Sequence, residues 1–275
     1  MRFVAVGDVM VDVVCSELPA PASRVHADVS IRGGGSAVNA AAAAAAAGSS
    51  AVVIGRVGSD PAGDLVVSLL GRLGVEGRLV SDPDLPTGVA VSLGGEPGVV
   101  ASRGANARLS TDDVPGTIDA DALFVSGFAL LQDGSSEAAR AALDRFTGAW
   151  AGVDLGSPRL AAAAREADLG GAGRTVLLAT ADEARALTGE EPEDAVRTLS
   201  SRFAIACVKL GEGGAIAASG DRVERRAAEP VVRRSPFGAG DAFGAVLLLS
   251  LTAGKELGDA LEAACRAGAR AAAAG

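Results

Sequence analysis

Short apolar segments alternate with helix-like segments along most of the 275 residues of this chain. The short apolar runs predict buried strands, and the alternation predicts βαβ units with a mainly parallel sheet covered on both faces. Strands are predicted at residues 3–6, 52–56, 123–125, 152–154, 176–179 and 204–208. Helices are predicted at residues 37–47, 62–73, 136–146, 159–167, 181–187, 194–202, 242–251 and 257–272.

Two stretches interrupt this rhythm, because residues 11–32 and 87–103 carry strand signals with no helix between adjacent runs. Residues 89–93 and 99–102 flank Gly-Gly-Glu-Pro-Gly, a pattern that is typical of a hairpin. We expect both insertions to form a small β-sheet lid over the carboxyl edge of the parallel sheet. The length of the chain suits a single domain over residues 1–275.

Charge and the rarity of histidine exclude several function classes. The formal net charge is -9, which argues against a nucleic-acid partner, although glycine-rich loops and helix starts can still bind a nucleotide locally. His26 is the only histidine, which excludes a histidine-based metal site and a Ser-His-Asp triad. Any general base must therefore be another type of residue.

The cysteines and the apolar runs predict a cytoplasmic protein without a membrane partner. Cys15, Cys207 and Cys265 are far apart and form no CxxC pair, as expected of free thiols in a reducing compartment. Asp8 and Asp12 interrupt the apolar start of the chain, unlike a secretory signal. The longest late apolar run, residues 245–251, is too short to cross a bilayer.

The segment Gly238-Ala239-Gly240-Asp241 precedes a strongly apolar helix. Glycines at a helix start let consecutive backbone N–H groups converge, and the helix dipole favours negative charge there. A phosphoryl group in transfer needs such a site, and Asp241 would stand beside it as a carboxylate able to take a proton. Taken alone, the same segment is equally typical of a simple helix cap.

A second glycine-rich turn, Gly33-Gly34-Gly35, also precedes a predicted helix. Its glycines permit close approach of a ligand, and Asn39 in the first helical turn offers both a donor and an acceptor. A plain turn with a local asparagine cap is the alternative. The turn matches neither a dinucleotide-binding fingerprint nor a Walker A motif, which argues against a dinucleotide-dependent oxidoreductase.

These motifs, taken in order, resemble the ribokinase-like (PfkB) sugar kinases over nearly the whole chain. The matching segments are Gly7-Asp8 with Asp12, GGSAVN, IGRVGSDPAGDLV, Gly104-Ala105-Asn106, VKLGEGGA and GAGDAF. The resemblance implies a doubly wound α/β fold with a β-sheet lid. It implies transfer of the ATP γ-phosphate to a hydroxyl of a small sugar or sugar acid, with Mg²⁺ required.

The resemblance also assigns roles to residues at the matching positions. It makes Asp241 the catalytic base and the amides of Gly238, Ala239 and Gly240 the anion hole. The substrate would be bound by Asp12, Gly34, Gly35, Asn39 and Asn106. The nucleotide would be bound by Thr180, Lys209, Gly211 and Gly214, with Glu183 helping to hold the metal. Lids in this family often pair, which makes a homodimer through the lid a further expectation.

Two departures from the family pattern leave alternatives open. Ser235-Pro236-Phe237 stands where the family often has Asp-Thr-Thr, which puts a monovalent-cation site in doubt, although Arg233 and Arg234 add positive charge there. Thr180 replaces the asparagine of an Asn-x-x-Glu motif that ends at Glu183. A nucleoside kinase of the same fold and a catalytically decayed sugar- or nucleotide-binding protein are therefore the alternatives.

Overall fold

The computed structural model describes residues 1–18, 20, 22–93, 98–165, 167, 169–170, 173–232 and 237–274. A large sheet of nine strands runs through this part of the chain in the order β13-β12-β11-β10-β9-β8-β1-β4-β5. Its strands are β1 (Arg2–Val6), β4 (Ser50–Gly58), β5 (Val75–Asp82), β8 (Ala122–Ser126), β9 (Trp150–Asp154), β10 (Thr175–Thr180), β11 (Ile205–Lys209), β12 (Ala215–Ser219) and β13 (Arg222–Arg226). The strands from β11 to β5 pair in parallel, whereas β12 and β13 join antiparallel at one edge.

Helices cover both faces of this sheet because its central strands are apolar on both sides. Phe3 and Ala5 of β1 face one core cluster, whereas Val4 and Val6 face the other. The first cluster packs against α1 (Ser36–Ala46), α2 (Pro61–Arg72), α8 (Ala239–Thr252) and α9 (Leu257–Ala273). The second packs against α3 (Gly127–Leu130), α4 (Ser136–Arg145), α5 (Pro158–Ala163), α6 (Ala181–Thr188) and α7 (Pro192–Ser200). The doubly wound, mainly parallel α/β fold predicted from the sequence is thus confirmed.

The two insertions supply a second sheet, which we call the small sheet. Its strands are β2 (Met10–Cys15), β3 (Val29–Gly34), β6 (Gly88–Leu93) and β7 (Val99–Ser102), in the order β3-β2-β6-β7. The β2–β3 and β6–β7 pairs are antiparallel, and β2 pairs with β6 in parallel. The hairpin predicted at residues 89–102 is therefore present, although residues 94–97 of its turn lie outside the described residues.

Most predicted elements are present within one to three residues of their expected bounds, and the differences lie at the edges. Strands β5, β12 and β13, which are edge strands of the large sheet or their neighbours, were not predicted from the sequence. The helix expected at residues 159–167 ends at Ala163, and the side chain of Arg165 beyond it donates to the carbonyl of Ala186. None of the described helices is long and apolar enough to cross a membrane.

Candidate active site

Polar side chains gather where the parallel strands of the large sheet end. Asp8 follows β1, and β9, β10 and β11 end at Asp154, Thr180 and Lys209. Ligands of open α/β sheets bind in the crevice outside the carboxyl ends of the strands. The helix starts of α1, α6 and α8 reach the same edge, which makes it the candidate active site.

Asp241 lies in the first turn of α8 and contacts the start of α1 through both carboxylate oxygens. The Ser36 hydroxyl donates to Oδ1, and Nδ2 of Asn39 donates to Oδ2 at 2.9 Å. Asn39, expected to bind substrate, thus orients the candidate base. Each carboxylate oxygen keeps a second lone pair that can accept a proton from a ligand.

The surroundings of Asp241 raise the pKa of its carboxyl group toward neutral pH. Burial raises the pKa of Asp241 to about 6, and the negative charge of Asp154 acts in the same direction. The hydrogen bonds from Ser36 and Asn39 favour the charged form and oppose this rise in pKa. A carboxylate with a pKa in this range is basic enough to accept a proton and is still ionised at pH 7.

The backbone at the start of α8 presents the first amides of the helix next to this carboxylate. Gly238 is the N-cap residue with a left-handed φ of 85°, and no side chain of the described residues caps the helix. The first N–H groups of a helix have no partner within the helix, and the helix dipole attracts anions to them. The amides of Gly238, Ala239 and Gly240 therefore have the surroundings of an anion site.

Lys209 lies beside the same helix start and is paired with Asp154. Its ammonium forms an ion pair with Oδ2 of Asp154, and a Cβ added to Gly240 would lie 3.2 Å from Nζ. Although burial opposes the charge, Asp154 and Glu183 raise the pKa of Lys209, so that the group stays cationic. Asp154 was not among the predicted site residues, although its position at the end of a predicted strand is a signal for one.

Glu183 and Thr180 form a reciprocal capping box at the start of α6. The Thr180 hydroxyl accepts from the Glu183 amide at 3.3 Å, and the Glu183 carboxylate accepts from the Thr180 amide at 2.7 Å. Burial and the neighbouring Asp154 raise the pKa of Glu183. The Thr180 hydroxyl, expected at the nucleotide, thus has a capping role in this structure.

The donor set at this edge fits Mg²⁺ better than a metal held by protein ligands alone. The described residues contain no cluster of three or more His, Cys, Asp or Glu side chains able to hold a metal ion. Mg²⁺ is usually held by one or two carboxylates together with phosphate oxygens and water. Asp154 and Glu183 are two buried carboxylates that meet this requirement.

Asp12 lies on the small sheet and is close enough to Asp241 to sense its charge. Burial raises the pKa of Asp12 to about 6; the positive charge of Arg32 lowers it, and the charge of Asp241 raises it. A Cβ on Gly34 would lie 2.0 Å from the Asp12 carboxylate, and one on Gly35 would lie 2.1 Å from the Asp8 carbonyl. Both glycines are therefore required where the small sheet meets α1.

Asn106, expected to bind the substrate, makes hydrogen bonds to the backbone within this structure. The residue is buried, its Nδ2 donates to the carbonyls of Val9 and Arg103 at 2.9 Å, and its Oδ1 accepts from the Val9 amide. Arg103 in turn makes an ion pair with Asp8 at 2.7 Å. Asn106 thus joins the segment after β7 to the segment between β1 and β2, and its substrate contact stays a prediction.

The remaining predicted residues lie at the far end of the site or outside the described residues. A Cβ added to Gly211 would have nothing among the described residues within 4 Å, whereas a Cβ on Gly214 would lie 1.9 Å from the Arg226 carbonyl. Gly214 is thus explained by close packing against β13, and its nucleotide contact stays a prediction. Residues 233–236, with the two arginines and most of the doubtful cation segment, lie outside the described residues.

Solved structures of other proteins share this fold over nearly the whole chain. A protein of E. coli assigned as a ribokinase II, in complex with ATP and Mg²⁺, is 22% identical with a TM-score of 0.86 over 100% of this chain and 93% of that one. Fructokinase of Vibrio cholerae O395, in a form with fructose, ADP and calcium ion bound, is 25% identical with a TM-score of 0.83, covering 99% and 93%. Adenosine kinase of Sinorhizobium meliloti is 20% identical with a TM-score of 0.80, covering 97% and 92%.

The sequence itself matches a family model. No curated protein has a detectable sequence match to this chain. The model of the pfkB family carbohydrate kinases, however, matches residues 2–274. This match agrees with the order of motifs from Gly7 to Asp241 and with the geometry of the site. The chain therefore belongs to the pfkB family of carbohydrate kinases and is a phosphotransferase that acts on a hydroxyl group.

Proposed function

We propose that this kinase transfers the γ-phosphate of ATP to a hydroxyl of a small sugar or sugar acid, with Asp241 as the general base. The observation that carries the proposal is the position of Asp241 in the first turn of α8, a helix start that no described side chain caps. A base and an anion site are thus next to each other, which phosphoryl transfer to a hydroxyl requires. The raised pKa of Asp241 supports the same role.

In the proposed step the substrate hydroxyl donates its proton to the Asp241 carboxylate as its oxygen attacks the γ-phosphorus. The bond from the γ-phosphorus to the bridging oxygen breaks, and ADP leaves with that electron pair. The amides of Gly238, Ala239 and Gly240 stabilise the charge on the transferred phosphoryl group. Ser36 and Asn39 hold the carboxylate in place while the proton moves.

Mg²⁺ bound with ATP would neutralise charge on the transferred phosphoryl group. Asp154 and Glu183 are the residues that would hold it, directly or through water. Lys209 is paired with Asp154 and lies beside Gly240, so its ammonium adds positive charge next to the anion site. A monovalent-cation requirement is not part of the proposal, because the relevant segment lacks the expected carboxylate.

The sugar would lie between the small sheet and the start of α1. Asp12, Gly34, Gly35 and Asn39 are gathered there, and the two glycines let the Asp12 carboxylate and the Asp8 carbonyl pack closely against the backbone. Closure of the small sheet over the site would exclude water, which competes with the substrate hydroxyl for the phosphoryl group. The small sheet would in this way act as the predicted lid.

The test is ADP formation by purified enzyme with ATP and Mg²⁺ on a panel of sugars, sugar acids, sugar phosphates and nucleosides. We expect turnover with one class of compound and a loss of about 100-fold or more in Asp241→Asn. Asp64→Asn serves as the matched control, since Asp64 is an exposed aspartate in the first turn of α2. Binding of ATP without turnover of any compound would favour the binding-only alternative.

A further inference from the structure

Arg32 lies directly opposite Asp12 in the small sheet. The two residues are partners in the antiparallel register of β2 and β3, so their side chains project from the same face. The neighbouring Gly33 faces the other way, since a Cβ on it would lie 3.4 Å from Cβ of Leu69 in α2. Arg32 therefore shares with Asp12 the face of the small sheet that is turned to the active site.

The guanidinium of Arg32 is incompletely paired. Its Nε is buried and has no hydrogen-bond partner among the described residues. Its positive charge lowers the pKa of Asp12, but the buried ion pairs found in the described chain join other groups, such as Arg103 with Asp8 and Lys209 with Asp154. A buried N–H of a charged group without a partner is costly, which requires an explanation in a folded protein.

A ligand with a negative charge explains this arrangement. A guanidinium matches a carboxylate or a phosphate group with two parallel hydrogen bonds, and its planar fork suits no other common ligand as well. Asp12 and Asp241 give the sugar site negative charges, so an anionic substrate needs a fixed cation there. Among the described residues on this face of β2 and β3, Arg32 provides that cation.

We propose that Arg32 binds an anionic group of the phosphate acceptor, a carboxylate or a phosphate monoester, and so selects an acidic sugar over its neutral counterpart. This inference rests on the proposed function and names the substrate class of the same site. Asp12 would bind a hydroxyl of the same molecule. The phosphates of ATP are assigned to the start of α8 and Lys209, not to Arg32.

The experiment compares neutral and charged members of matched pairs with ATP and Mg²⁺. The probes are glucose, gluconate and glucose 6-phosphate; ribose, ribonate and ribose 5-phosphate; and fructose with fructose 6-phosphate. We expect kcat/KM to be at least about 10-fold higher for a charged member, and the carboxylate and phosphate arms distinguish the two anions. Equal or better turnover of the neutral members would overturn the proposal.

Substitution of Arg32 separates charge recognition from a structural role. In Arg32→Gln we expect kcat/KM for the charged substrate to fall by about 10- to 100-fold, with little change for the neutral member and for the KM of ATP. In Arg32→Lys, which keeps the positive charge, we expect a smaller fall in kcat/KM for the charged substrate. Arg78→Gln is the control, since Arg78 is an exposed arginine of β5. An equal loss for both members, or a raised KM for ATP alone, would contradict the proposal.

Binding to Asp241→Asn without ATP distinguishes this inference from the proposed function. Calorimetric titration with the same pairs should show tighter binding of the charged member, and Arg32→Gln in that background should abolish the preference. Such binding, together with no turnover of any compound by the wild-type enzyme with ATP and Mg²⁺, would uphold the role of Arg32 and overturn the kinase proposal. Turnover by the wild-type enzyme with no preference for the charged member of any pair would uphold the kinase proposal and overturn the role of Arg32.

Discussion

Two opposing influences act on the pKa of the Asp241 carboxyl group. Burial and the charge of Asp154 favour its protonated form, whereas hydrogen bonds from Ser36 and Asn39 favour the charged form. The balance leaves its pKa at about 6, with both oxygens held toward α1. A base in this state is ionised at neutral pH and accepts a proton more readily than an ordinary aspartate.

The activity of the kinase should decline in mild acid. The pKa of Asp241 is about 6, so the carboxyl group is increasingly protonated as the pH falls below that value. A protonated carboxyl group cannot accept the substrate proton. Asp12 titrates in the same range, and its charge is coupled to that of Asp241, so two apparent pKa values describe the pair. A profile of kcat/KM from about pH 5 to about pH 8 should fall on its acid side; a flat profile would contradict this account.

Ser36 should position the base and tune its pKa. Removing the hydroxyl in Ser36→Ala takes away a hydrogen bond that favours the charged carboxylate, so the pKa of Asp241 should rise further. We expect the acid limb of the kcat/KM profile to move to higher pH, with about a 10-fold loss of kcat at neutral pH. Ser36→Thr retains a hydroxyl group, so most of the kcat and the position of the acid limb should be preserved. A loss of kcat without a shifted pH profile would contradict the tuning role of Ser36.

At the scale of elements, buried polar contacts join the small sheet to the large one. Thr87, directly before β6, donates to Asp60 at 2.6 Å and accepts from the Gly58 amide at 2.9 Å. Asp60 also caps α2 through the Gly63 amide. These contacts give a structural reason for the Gly58-to-Gly63 part of the motif that the sequence analysis matched to the family.

Loss of the Thr87 hydroxyl should destabilise the fold. Thr87→Val keeps the shape of the side chain but leaves the Gly58 amide without its partner and removes a hydrogen bond to Asp60. We expect the free energy of unfolding to fall by about 1–3 kcal/mol in urea denaturation. Thr198→Val, at an exposed position of α7, is the matched control, and an equal effect in both variants would disprove the role of Thr87.

Apolar patterning predicted the central elements, but the edges depend on tertiary context. Strands such as β1 and β10 are buried on both faces, so their residues are almost uniformly apolar. The edge strand β13 reads Arg-Val-Glu-Arg-Arg and β5 is largely exposed, so neither carries such a pattern. Their strand character comes from pairing with β12 and β4 across the sheet, which a local reading of the chain does not show.

At the scale of the whole molecule, one face of the small sheet is apolar and exposed. Val29, Ile31, Leu93 and Val100 lie on the face opposite Asp12 and are 36% to 72% exposed. We expect a second copy of the chain to cover this face, because an apolar sheet surface bordered by edge strands favours association. Sedimentation should show a dimer that Ile31→Lys weakens; a wild-type monomer at micromolar concentration would contradict this expectation.

The sequence predicted individual motifs of the candidate site but not the contacts between their side chains. Asp241 and its glycines stand out as a motif, but Ser36, which donates to Asp241, is 205 positions away in the chain. Lys209 was expected at the nucleotide, whereas its pairing with Asp154, 55 positions away, depends on how the strands are ordered. The role of Asn106 likewise follows from a fold-dependent contact, with Val9, that the Gly-Ala-Asn motif does not reveal.

The most direct test of the central claim is to identify the product made by the wild-type enzyme and by Asp241→Asn. Each protein is incubated with ATP, Mg²⁺ and the acceptor chosen from the panel, and the acceptor is then analysed by mass spectrometry. The account predicts that the acceptor gains one phosphoryl group with the wild type and essentially none with Asp241→Asn. An equal yield from the variant would contradict the assignment of Asp241 as the base.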